Sequence, residues 1–204
     1  MRYILLIIII FSTTTYAEQL TDYDIKVAAN AANVNTDSSL LSSLNKIGEG
    51  QMKVLFWKVY KAEFYTSGSV YQEQTYPKAL KLTYQRDIEQ KEFIDATKDQ
   101  WNKLNAHFNE RIISETLEAQ WVTQLKDIFP NITEKDVILF ILTEQKQAHF
   151  YLKTFDNNKN QYNETYQVLG TIKDTNFGDY FLSIWLSEHT TEPKLRKQLI
   201  ENKK

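Results

Sequence analysis

ALKLTYQRDIEQKEFIDATKDQWNKL, residues 79–104, changes its period in the middle. Its first part alternates, which puts Leu80, Leu82, Tyr84 and Arg86 on one face of a strand from Ala79 to Arg86. From Asp87 the spacing turns helical. Asp87 and Gln90 make a capping-box-like start, and Ile94, Thr97, Trp101 and Leu104 recur along one stripe. The chain therefore mixes both element types, and what flanks this switch decides how they are layered.

Upstream, Lys53 to Tyr65 is β-branched and aromatic, with Tyr60, Ala62 and Phe64 alternating against Lys61 and Glu63. This predicts one long strand or a bent pair, bounded by turns at Gly48-Glu49-Gly50 and Ser67-Gly68-Ser69. Downstream, a second helix is expected from about Asn109 to Phe129, with Ile113, Leu117, Trp121, Leu125 and Ile128 on one stripe and a stop at Pro130. Val137 to Leu142 is continuously apolar, as suits a central strand, and Ala148, Phe150 and Leu152 alternate in its partner after the turn at Glu144-Gln145-Lys146. A further strand is expected over Glu164–Leu169, then a helix over Thr175–Leu186 and a short helix opened by Pro193. Strands, then helices, then strands and helices again predict an α+β fold with an antiparallel sheet.

The N-terminus reads as an export signal. Met1-Arg2 is positively charged, Ile4 to Phe11 is unbroken and apolar, and Ser12 to Ala17 is small and hydroxylated before Glu18. The alternative is a segment retained as an N-terminal anchor, but cleavage after Ala17 is expected, with residues 1–17 as signal peptide, 18–43 as a polar lead-in and 44–204 as the folded domain. The protein is then periplasmic or secreted, and meets the membrane only through the signal segment before cleavage. A net charge of −2 with 25% charged residues gives no basic excess, so nucleic acid is not an expected partner. The absence of Cys excludes disulfides, thiol nucleophiles and thiolate metal sites.

Motifs that would announce a common enzyme class are missing: there is no phosphate-binding Gly-rich loop, Gly-x-Ser-x-Gly elbow, His-Glu-x-x-His or calcium loop. His107, His149 and His189 lack ligand spacing, so neither a metal nor a cofactor is expected. Two features invite a ligand. Arg86, in phase with an apolar strand face and just before a helix N-terminus, could hold a carboxylate, or could pair with a nearby acid such as Asp87. Tyr60, on the inward face, could offer its phenol to a ligand or to a backbone carbonyl.

GEGQMKVLFWKVY at residues 48–60, LTYQRDI at 82–88 and FLSIWL at 181–186 resemble the bacterial chalcone isomerase-like family, and the resemblance runs from about Leu44 to Ile200. It implies an open-faced β-sandwich, in which a large antiparallel sheet is covered by a layer of helices with a ligand cleft between them. The family holds true isomerases, fatty-acid binders and exported bacterial members. Its oxyanion-holding arginine falls here on Gln51 or Met52, and its strand threonine on Tyr60. The resemblance therefore implies a non-catalytic binding module for a small apolar or carboxylate-bearing, fatty-acid-like ligand. Arg86, Tyr60, Tyr84 and Gln51 are its candidate contacts. The same fold would also serve an isomerase of the intramolecular lyase type, or a structural protein.

Overall fold

In the computed structural model, which describes residues 41, 43–108 and 111–201, the run expected as one strand or a bent pair folds back at Leu55-Phe56 into a hairpin. Its arms are β1 (Asn45–Val54) and β2 (Trp57–Thr66). Then come β3 (Lys78–Tyr84), α1 (Gln90–Asn105), α2 (Glu115–Ile128), β4 (Val137–Leu142) and β5 (Ala148–Lys153). A two-residue ribbon, β6 (Phe155–Asp156) with β7 (Gln161–Tyr162), precedes β8 (Gln167–Ile172), α3 (Phe177–Leu186) and α4 (Pro193–Ile200). The expected signal segment and most of the lead-in lie outside the described residues.

Six strands form one antiparallel sheet in the order β1-β2-β3-β4-β5-β8. The unbroken apolarity of β4 follows from its central place, because both of its faces are buried. Ile138, Phe140 and Leu142 meet the helical layer, whereas Val137, Leu139 and Ile141 join Tyr151 and Tyr166 in a smaller core on the other face. Trp101 of α1 and Trp121 of α2 are both fully buried against Phe177 of α3. Each such side chain contributes about 2–3 kcal/mol by leaving water. The result is an α+β, open-faced sandwich with the helices on one side of the sheet.

Several boundaries differ from expectation for local reasons. Gly48-Glu49-Gly50 is not a turn but part of β1. A Cβ on Gly48 would lie 2.2 Å from the Gln198 carbonyl oxygen, and one on Gly50 2.5 Å from Leu195 Cδ1, so these glycines let α4 settle onto the strand. β3 ends at Tyr84, before Arg86; the last rung toward β2 is Gln85 N–H to Val59 O at 2.9 Å, and Arg86 lies past it. α1 begins after Glu89, whose N–H is met by Glu92 at 3.4 Å, while the Asp87 carboxylate accepts from Glu134 N–H at 2.8 Å instead. α2 starts at Glu115, capped by the Ser114 hydroxyl, which accepts from Leu117 N–H at 3.3 Å. β8 starts three residues later than expected and runs through Gly170, whose missing side chain makes room for Ile128 of α2.

Candidate functional site

A cavity of about 160 Å³ lies between the first three strands and α1, α3 and α4. Met52, Val59, Leu82, Phe93, Ile184 and Leu195 make it apolar. Its polar groups are few: Tyr60, Tyr84, Trp185, Gln100, Thr97 and Glu192. The inward phase of β2 and β3 delivers the two tyrosines, which are direct cross-strand partners with rings edge to face at 5.8 Å.

The polar groups are oriented by one another. Trp185 N–H donates to the Tyr60 hydroxyl at 2.9 Å, which fills an acceptor site on that oxygen and leaves its own proton to be given elsewhere. A hydroxyl that accepts one hydrogen bond becomes a better donor of the next. Burial pushes the Tyr60 phenol well above its usual value despite that hydrogen bond, with the Glu192 carboxylate adding to the rise. Burial does the same at Tyr84, with Tyr60 adding to it. Both are therefore neutral donors at any physiological pH. Gln100 takes a hydrogen bond from the Thr191 hydroxyl at 2.7 Å on its amide oxygen, which leaves the amide N–H₂ for the cavity.

Of the residues singled out in the sequence, Tyr60 and Tyr84 line this cavity and Arg86 and Gln51 do not. Arg86 sits beyond the end of β3, exposed and off the apolar face, with its guanidinium on the Glu92 carboxylate at 3.2 Å and its Nε donating to the Asp87 backbone carbonyl at 3.1 Å. The Gln51 amide donates to the carbonyls of Tyr60 at 2.7 Å and Met52 at 2.9 Å, so it ties the hairpin together. Trp185, Gln100 and Glu192 were missed as site residues. Trp185 lies on a helical apolar stripe, which reads as core, and nothing in the local pattern of Gln100 or Glu192 says which surface they face.

His107 and His189, remote in sequence, stack at 4.9 Å, but among the described residues no group of three His, Asp or Glu could hold a metal. A second hollow of about 440 Å³ is lined by Lys78, Asp179, Glu188 and Arg196 among others. Its charges are matched internally: the buried Lys78 ammonium meets Asp179 at 2.9 Å and lies 4.2 Å above the Tyr76 ring, and Arg196 donates to Leu186 O at 2.8 Å.

A helix-covered antiparallel sheet with an apolar hollow between the layers is the architecture of the chalcone isomerase fold. A family model described as chalcone isomerase-like matches residues 28–201, and the chain belongs to that family. It is 25% identical over 142 residues to a Haemophilus influenzae protein described as uncharacterized, a match that takes in 70% of this chain and 60% of that protein's length. The crystal structure of an Arabidopsis thaliana fatty-acid binding protein superimposes with a TM-score of 0.54 at 13% identity, covering 77% of this chain and 86% of the other. At that identity the likeness is one of fold.

Proposed function

We propose that the domain is a non-catalytic binding module for a small, neutral, mostly apolar molecule carrying one hydrogen-bond acceptor. The observation that carries this is the pairing of two neutral phenols in a mostly apolar cavity, with no cation among the described residues that line it. An acceptor oxygen placed near Tyr60 and Tyr84 receives up to two hydrogen bonds while the rest of the ligand displaces water from apolar walls. A carboxylate would be desolvated without a partner and repelled by Glu192. The arginine that holds the oxyanion or head group in the family's isomerases and fatty-acid binders has no counterpart in the cavity, which argues against turnover and against a fatty acid alike. The volume is that of a single-ring ligand, since an engineered cavity of about 150 Å³ accommodates benzene. The sequence of residues 1–17 supports export of this module, and intact mass of the exported protein should start at Glu18.

Acetophenone and benzoate share a ring and differ in charge, so together they test the reading. Acetophenone should raise the melting temperature, and benzoate and palmitate should not. Tyr84→Phe should weaken acetophenone binding about fivefold to tenfold, the worth of one hydrogen bond. Arg86→Leu should leave it unchanged. A larger shift with palmitate than with acetophenone, abolished by Arg86→Leu, would overturn the neutral-ligand reading.

A further inference from the structure

The tip of the β1–β2 hairpin is built against the rules for a turn in water. Val54, Leu55, Phe56 and Trp57 are consecutive, large and apolar, and they are 52%, 86%, 96% and 72% exposed. Two-residue hairpin turns favour Asn-Gly or Gly-containing pairs, because the backbone there enters the left-handed region. Here Leu55 takes that conformation, with φ 55°, at a cost that Gly or Asn would avoid. Directly behind the tip the register sets Lys53 opposite Lys58. Like charges that face each other across a ladder destabilise it. The hairpin's own carboxylates, Glu49 and Glu63, are already held by Lys46, Lys61 and Lys81.

We propose that this tip inserts into the surface of an anionic lipid bilayer, with Leu55, Phe56 and Trp57 among the upper acyl chains and Lys53 and Lys58 at the phosphates. The layering matches. A strand rises about 3.3 Å per residue, so the two lysines stand about 7 Å behind Leu55 and Phe56, within the roughly 5–10 Å depth to which interfacial segments sink. Tryptophan at the boundary between the two zones is in its preferred place. A protein partner would need a deep apolar hollow rimmed by acids to receive a convex tip of this kind, whereas a bilayer presents that order of environments everywhere. The lipid phosphates would also relieve the repulsion between the paired lysines. Val54 belongs both to the tip and, with Met52 and Val59, to the cavity wall, so the cavity mouth would face the membrane. The inference goes beyond ligand binding and does not depend on it.

Trp57 supplies the readout, because the other three tryptophans, Trp101, Trp121 and Trp185, are 0%, 0% and 6% exposed. The full chain is titrated with phosphatidylcholine vesicles, with and without about a third phosphatidylglycerol, carrying brominated acyl chains. Quenching of the exposed component is expected with the anionic vesicles, and Trp57→Phe should remove it. Lys53→Gln with Lys58→Gln should weaken that binding about thirtyfold, from two lysines at an anionic surface, without lowering the melting temperature. Leu55→Ser with Phe56→Ser should abolish it. Trp57 emission that neither vesicle quenches would overturn the proposal. So would emission that instead shifts with protein concentration and is restored by Leu55→Ser with Phe56→Ser, which would make the tip a contact between copies.

Discussion

Tyr60 and Tyr84 should make the protein sensitive to alkali. Both phenols are held above their usual value by burial, and Tyr76 is pushed up to about 12 by burial and its hydrogen bond to Asp179. The unfolded chain ionises tyrosine near pH 10. A group whose folded value is raised contributes its full stability below the unfolded value and loses it as pH climbs toward the folded one, so the melting temperature should hold to about pH 10 and then fall. Each shifted tyrosine adds a slope of about 1.4 kcal/mol per pH unit. In melts from pH 8 to 11.5, Tyr60→Phe with Tyr84→Phe should flatten the decline, whatever it does to the starting value. Equal slopes in the two proteins would mean that these phenols ionise freely in the fold. The inward phase of both tyrosines was legible from strand alternation alone. Arg86 was misplaced because alternation does not say where a strand ends: the ladder to β2 stops with Gln85, one residue short of it.

At the scale of elements, the contact of α4 with β1 depends on two absent side chains. Gly48→Ala would drive a methyl group to 2.2 Å from a backbone oxygen of α4, which no rotamer change relieves. The helix would have to lift, and we expect about 2–3 kcal/mol lost in urea unfolding, typical of overpacking. Gly68→Ala, whose new methyl would meet its nearest neighbour at 3.2 Å in an open turn, should cost clearly less. If both substitutions cost the same, the fit of α4 on β1 is looser than the structure has it. Period and apolarity found α1, β4, β5 and α3 without help from the rest of the chain, because each buries a face broad enough to set its own pattern. Gly48-Glu49-Gly50 of β1 was read as a turn, since a glycine pair in isolation looks the same whether it bends the chain or admits a helix. The β6–β7 ribbon, two residues a side, is too short to carry a period.

For the molecule as a whole, the family was legible in three separated patches, and the layered sheet and helices follow from it. The cavity was less so. Its walls come from six elements scattered from Met52 to Leu195, and only the tyrosines carry a local sign of facing inward. That no described cation lines it emerged only once Arg86 was located on Glu92 and Lys78 on Asp179. The seating of α4 on the glycines of β1 also sets a schedule. The residues that close the cavity on one side, Glu192 and Leu195, are made after every other part of its wall. Without α4 the finished cavity would stand open to water along β1, because Leu195 closes that side. A cavity able to enclose a ligand should therefore wait for the last of the described helices to settle across the first of the described strands.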